Sequence, residues 1–161
     1  VLEYDKNPIS YKGLVAESSE GGYSLNLENY NYRNGDGKIN EAKKYGTIPK
    51  NILVQKKQIL KWKIFISEPG EYSVDSSYSF QDDKDGGNTK FEINDTKLKQ
   101  KFKSTGKTVG EPLQDWVIDN YKSNKLGSFK INKTGIYEVT LTLESNKDPV
   151  KWQWLWIKSK K

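Results

Sequence analysis

Cysteine, methionine and histidine are absent from the 161 residues, and proline occurs only 5 times. Without cysteine or histidine the chain has no zinc finger, no thiolate nucleophile, no Ser-His-Asp relay, no haem ligand and no imidazole proton shuttle. Any chemistry would fall to carboxylates, lysine and tyrosine. No run of about 18 apolar residues occurs, so no membrane insertion is expected. The lack of cysteine leaves the compartment open, because a domain of this size can build its core without disulfides. Val1 opens the chain with no apolar leader behind it, which points to a mature product or an excised domain. What is present is aromatic and basic. Hydrophobic residues make up only 34%, yet there are 5 Trp, 10 Tyr and 5 Phe, and 27 Lys and Arg against 21 Asp and Glu leave +6. The length fits one domain.

Residues 1–12 (VLEYDKNPISYK) have no period and read as a linker or a first edge strand, with 13–161 as a single β-sandwich domain. Tyr23, Leu25 and Leu27 alternate with Ser24 and Asn26, the period of a half-buried strand. Residues 29–58 are irregular and read as a long loop, with a helical turn at Asn40–Lys44 capped by Asn40. Alternation is strongest in Leu60, Trp62, Ile64, Ile66 and, after Pro69-Gly70, in Tyr72, Val74, Ser76, Tyr78, Phe80. This reads as two antiparallel strands joined by a tight turn. Further strands are expected at 89–94, 96–103, 116–121, 126–132, 136–144 and 150–158.

The unit Ile64-Phe-Ile66, Pro69-Gly70-Glu-Tyr72-Ser-Val74 recurs as Phe129-Lys-Ile131, Thr134-Gly135-Ile-Tyr137-Glu-Val139, at an offset of 65 residues. Two copies are too few for a solenoid, which needs at least about three. Short strands between Gly, Pro and Asn turns, with almost no helical period, indicate an all-β fold: an antiparallel β-sandwich or jelly roll.

On three segments the chain resembles a known family. They are Leu60-Lys-Trp62 to Pro69-Gly70-Glu-Tyr72, Gly127-Ser-Phe129 to Thr-Gly135-Ile-Tyr137-Glu-Val139, and the terminal Trp154-Leu-Trp156-Ile157. Together they resemble the galactose-binding-like jelly rolls. Within that group the chain is similar to family 6 carbohydrate-binding modules and to the accessory β-sandwiches of bacterial α-L-fucosidases and sulfatases, over roughly residues 59–158. The resemblance implies a non-catalytic module that binds carbohydrate at loops near one end or in a cleft on one face. It implies a catalytic domain in the parent chain, and an extracellular or periplasmic place in a bacterium. Thr105-Gly106 and Trp116 stand for the Thr-Gly and strand Trp of the family pattern, and Gln153 stands where that pattern has a sugar-binding Asn. A structural accessory domain that binds no sugar is the alternative.

Candidate binding residues are rings and cations. Two-residue spacing puts Trp152, Trp154 and Trp156 on one face of the last strand, about 6.7 Å apart. They serve either as stacking platforms or as core. The family pattern puts Trp156 on a packing position, core is the expectation for Trp154 and Trp156, and Trp152, nearest the loop end, is the expected exposed member. Trp116 follows a polar, Pro-containing loop and is the first candidate for a sugar platform, with Tyr121, Tyr45, Tyr30 and Tyr32 in irregular segments. Lys97, Lys99, Lys101 and Lys103 form a comb on one face of 96–103, opposite Leu98 and Phe102. The comb suits a sulfated or uronic-acid glycan, or it is the solvated face of an outer strand that blocks edge aggregation. Nucleic acid is not expected, for no binding motif occurs.

Two segments imitate calcium loops. In 32–43 the first and twelfth positions are Tyr32 and Lys43, which excludes a site. In 81–92, Asp83, Asp85 and Glu92 fall at the third, fifth and twelfth positions, a better match for a structural calcium. Asp82, Asp83, Asp85, Asp115 and Asp119 could pair as glycosidase carboxylates, but no catalytic motif occurs and a binding module is the expectation.

Overall fold

A computed structural model describes residues 13–42, 49–81, 87–106, 109–111 and 116–160, with the backbone course alone for 109–111 and 116–118. Successive side chains of a pleated strand point to opposite faces, so alternating apolar and polar residues favour strands wherever one face can be buried. In chain order the strands are β1 (Leu14–Val15), β2 (Gly22–Asn26), β3 (Tyr32–Gly35), β4 (Lys38–Asn40), β5 (Asn51–Val54), β6 (Lys57–Ile66) and β7 (Gly70–Ser79). There follow β8 (Asn88–Ile93), β9 (Thr96–Lys101), β10 (Val109–Glu111), β11 (Trp116–Ile118), β12 (Lys122–Ile131), β13 (Gly135–Glu144) and β14 (Val150–Ser159).

Two six-stranded sheets form the sandwich. The first has the order β1-β6-β13-β8-β9, with β3 also on β6; the second has β12-β7-β14-β5-β4, with β2 also on β14. Among the described residues, β10 and β11 pair only with each other. Pairing among the described residues is antiparallel apart from β1 on β6. Leu60, Trp62, Ile64 and Ile66 of β6 and Val139, Leu141 and Leu143 of β13 face Tyr72, Val74 and Tyr78 of β7 and Trp152, Leu155 and Ile157 of β14 across the core. Both indole N–H groups in this core are satisfied, as burial demands. Trp62 Nε1 donates to the Asn26 carbonyl and to Asn29 Oδ1, at 3.1 and 3.0 Å. Trp152 Nε1 donates to Ser76 Oγ at 3.0 Å, and the two indoles meet at 5.8 Å between centroids.

The expected hairpin at 59–80 is instead an arch between sheets. β6 pairs with β13 over its whole length, and β7 pairs with β12. Both strands carry an apolar face, so folding one over the other turns those two faces together. Alternation fixes the buried face of a strand and leaves its partner open. The repeated unit is a second arch, β12 to β13. The Tyr72 hydroxyl donates to the Glu68 carbonyl, and the Tyr137 hydroxyl donates to the Lys133 carbonyl at 2.6 Å. Each tyrosine thus closes its own arch four residues back. Thr134 Oγ1 donates to the Ser67 carbonyl at 2.8 Å and joins the two arches.

Residues 29–58 are not one long loop, since they contain β3, β4 and β5; Asn40 ends β4, and the helical turn expected at Asn40–Lys44 runs outside the described residues from 43 on. The local period is weak because tertiary partners hold this segment. Lys56 and Lys57 N–H groups donate to the Asp36 carboxylate at 2.8 and 3.3 Å, and Gly37 N donates to the buried Gln58 Oε1 at 2.8 Å. These bonds carry the chain from the first sheet to the second. Residues 1–12 lie outside the described residues.

Candidate functional site

The last strand does not keep its tryptophans on one face. Trp152 pairs with Tyr78 and Trp154 with Ser77, so Gln153 is an extra residue without a partner on β7. This bulge shifts the alternation by one. Trp152, Leu155 and Ile157 turn into the core with 0% exposure, while Trp154 and Trp156 are only partly buried and point outward. The expectation for Trp152 is therefore overturned: it is locked between the sheets and presents no face to a ligand. The core assignment of Trp154 and Trp156 is overturned with it.

Trp154 and Trp156 border an open groove of about 320 Å³ with Glu20 and Ser24. Across the strand pairs, Trp154 lies opposite Asn26 and Ser77, and Trp156 opposite Ser24 and Asp75. The surroundings of the rings are short and polar. Gly22 makes the seat. A Cβ at this position would stand 2.3 Å from Trp156 Cζ2 and 2.4 Å from Cη2, so the indole lies across bare backbone. Diagonal cross-strand neighbours are within reach of an aromatic side chain. Gln153 Oε1 accepts from Ser77 Oγ at 2.7 Å beside the rings. The sequence signal for this site was the glycine pair before an alternating strand, which marks a close approach.

A second concavity, about 220 Å³, opens at the strand ends between Ser79, Phe80, Gln81, Asp119, Asp148, Pro149 and Lys151. Lys151 Nζ donates to both oxygens of Asp119, at 2.9 and 2.8 Å, and the Asp119 side chain is only 8% exposed. That carboxylate anchors the segment after β11 to β14. Tyr121 directs its hydroxyl at Asp119 Oδ2 from 3.5 Å. Burial first, and then the Asp119 charge, push the Tyr121 phenol far above its ordinary range. Burial also raises Tyr23, Tyr72 and Tyr78 above the ordinary value of 10.0.

These four phenols predict an alkaline limit to stability. Each folded-state value lies above the unfolded one, so the neutral phenols support the fold fully below about pH 10. The contribution is lost as pH rises through the folded values. Phenolate absorbance followed against pH, with single Tyr→Phe variants to assign these four, should show them ionising only as the chain unfolds. Ionisation of all of them in one step near pH 10, with the fold intact, would refute the assignment.

The remaining sequence candidates are scattered. Trp116 starts β11, apart from both main sheets, and its side chain is outside the described residues. Tyr45, Asp83 and Asp85 also lie outside them. Glu92 sits on β8 opposite Lys97, and no group of three or more metal-ligating carboxylates gathers among the described residues. Tyr30 packs against the core, and Tyr32 is exposed with Lys61 Nζ 5.4 Å over its ring. Lys99 and Lys101 are exposed on β9, the edge of the first sheet, whereas the indole groove lies on the second.

No family profile matches the chain, and no curated protein sequence matches it. Solved structures do. The C-terminal family 6 carbohydrate-binding module of LamC, a marine laminarinase from Zobellia galactanivorans, superposes with a TM-score of 0.60 at 19% identity, covering 86% of this chain and 100% of that one. A family 6 module of Cellvibrio mixtus lichenase 5A, in complex with cellotriose, gives 0.59 at 14% identity over 86% and 97%. The mosquito-larvicidal Cry4Aa toxin of Bacillus thuringiensis gives 0.69 at 9% identity over 93% of this chain and 25% of the toxin. At these identities the likeness is one of fold. The chain is an all-β sandwich, similar in architecture to family 6 carbohydrate-binding modules.

Proposed function

We propose that the chain is a non-catalytic carbohydrate-binding module that holds a glycan against Trp154 and Trp156 on the outer face of the second sheet. The observation that carries this is the outward indole pair, bordering a groove and seated on Gly22. Indoles that serve only the core are buried, as Trp62 and Trp152 are. Here two large apolar rings face solvent among serine, asparagine and carboxylate side chains. A pyranose offers the complementary surface: an apolar C–H face for the ring and a rim of hydroxyls for the polar neighbours. An open groove leaves much of the ligand in water, so affinity per site is modest. The likeness to family 6 modules, one of them seen with cellotriose, supports this reading. A place outside the cell, attached to a catalytic domain that degrades glycans, belongs to the same proposal.

A second reading has its own observation. Phe65 and Ile136 lie opposite each other on the outer face of the first sheet, exposed by 37% and 61%. Such a pair suits packing on a neighbouring domain, the role of a purely structural module.

Titration of the full chain against soluble glycans, among them laminarin, xylan and hydroxyethylcellulose, separates the two readings. Binding to at least one is expected, and binding to none favours the structural role. Gly22→Ala sharpens the test. Its added Cβ must lift the Trp156 ring, so affinity should fall roughly fivefold or more, while alanine suits the strand backbone and stability should move by less than about 1 kcal/mol. Unchanged affinity would mean that the seat does not matter to binding. Sulfated and other anionic glycans direct attention to the lysine edge.

A further inference from the structure

We infer that the free edge of the first sheet is a second and separate binding surface, one for linear anionic polysaccharides. β9 is the last strand of that sheet, and Lys97, Lys99 and Lys101 project from it into solvent. Lys103 continues the row after Phe102 turns into the core at 3% exposure. Among the described residues none of these four ammonium groups forms an ion pair, although Glu92 lies opposite Lys97. Lys90 of β8 lies opposite Lys99 and adds to the row, with Glu144 3.5 Å from its nitrogen.

Physical cost separates this row from a generic solvated face. Like charges directly opposite on neighbouring strands are destabilising, and Lys90 beside Lys99 is such a pair. Blocking an edge against aggregation needs only scattered charge. An unbroken alternation of lysines, each about 6.7 Å from the next, places the charges closer than the screening length of about 8–10 Å at moderate salt. Their potentials therefore add along a line, and a linear polyanion is the complementary ligand.

The backbone beneath the row is fixed. Leu98 packs over Gly127, where a Cβ would stand 3.0 Å from its Cδ1, and Gln100 Nε2 donates to the Lys125 carbonyl at 2.8 Å. The comb is thus pinned across the seam to β12 and presented as a rigid ridge. Leu98 and Phe102 turn inward, so among the described residues the ridge offers no ring on which a base could stack, which favours polysaccharide over single-stranded nucleic acid. The groove of Trp154 and Trp156 lies on the other sheet, and the two surfaces act independently.

The test measures affinity of the full chain for dextran sulfate, polygalacturonate, uncharged dextran and poly(dT) at low and high salt. Both anionic polysaccharides should bind and dextran should not. Affinity should fall at least about tenfold between 50 mM and 500 mM salt. The variant Lys97→Gln/Lys99→Gln/Lys101→Gln should lose roughly tenfold or more at low salt, at a few-fold per charge. The equal-charge control Lys38→Gln/Lys56→Gln/Lys133→Gln should lose less than about threefold through net charge alone. Equal losses in the two triples, salt-insensitive binding, or tighter binding of poly(dT) would each overturn the inference. Binding of one polyanion alone would narrow the ligand to sulfate or to carboxylate. Alanine at Trp154 and Trp156 should leave dextran sulfate binding intact. Failure of the groove with neutral glycans then remains distinguishable from failure of the ridge.

Discussion

Alanine at both Trp154 and Trp156 lowers glycan affinity by roughly 30-fold or more and leaves the fold in place. Both rings lie on the outer face and border the groove, so their removal opens no cavity between the sheets. What is lost is the apolar surface on which a sugar ring stacks. Covering part of an indole with an apolar sugar face contributes about 1–1.5 kcal/mol per ring, from buried area and ring geometry. Two rings acting on one ligand bring the sum to roughly 2–3 kcal/mol, or about 30- to 150-fold. Outer-face substitutions usually change stability by about 0.5 kcal/mol or less, with some additional loss here because Trp156 covers Gly22. Isothermal titration against the preferred glycan, with thermal melting of each variant, checks both halves. A double variant that binds as the parent does would remove the groove from the account.

Trp152→Ala has the opposite signature, a large loss of stability. Trp152 has 0% exposure, lies 5.8 Å from Trp62 between ring centroids, and donates its N–H to Ser76 Oγ at 3.0 Å. Truncation to alanine leaves a cavity between the sheets and orphans a buried hydroxyl. Large-to-small changes of this kind cost about 3–5 kcal/mol. For a domain whose total stability is of order 5–15 kcal/mol, that is a major share. At 2–4 °C per kcal/mol for a chain of about this size, the melting temperature should fall by roughly 6–20 °C. A fall of less than about 3 °C would contradict the placement of Trp152 in the core. Tryptophans two residues apart in the sequence thus divide into one that holds the sheets together and one that borders the outer groove.

That division was not legible in the sequence, and the reason is physical. Alternation gave the existence and approximate extent of β6, β7, β8, β9, β12, β13 and β14, because a half-buried strand must place its apolar residues at every second position. The same rule, extended through Gln153, put three indoles on one face. A bulge inserts one residue and inverts every face beyond it, and nothing in Trp-Gln-Trp announces one. The arches misled for a related reason. Tyr72 and Tyr137 stood out as a repeat, but their bonds to Glu68 and Lys133 close turns between sheets, and a periodic pattern does not name a strand's partner. β3, β4 and β5 depend on Asp36 and Gln58 bonding across more than one sheet connection, information that is tertiary. The lysine comb was fully legible, since charge at every second residue needs no partner to define it.

The central claim is that a glycan lies on Trp154 and Trp156, and the indole N–H signals of the 5 tryptophans test it most directly. After assignment by single Trp→Phe replacements, a titration with the best-bound neutral glycan should shift the Trp154 and Trp156 signals in a saturable way. The Trp62 and Trp152 signals, from rings held between the sheets, should stay in place. Saturable shifts confined to Trp116, with Trp154 and Trp156 unmoved, would contradict the account and transfer the binding site to the loop end.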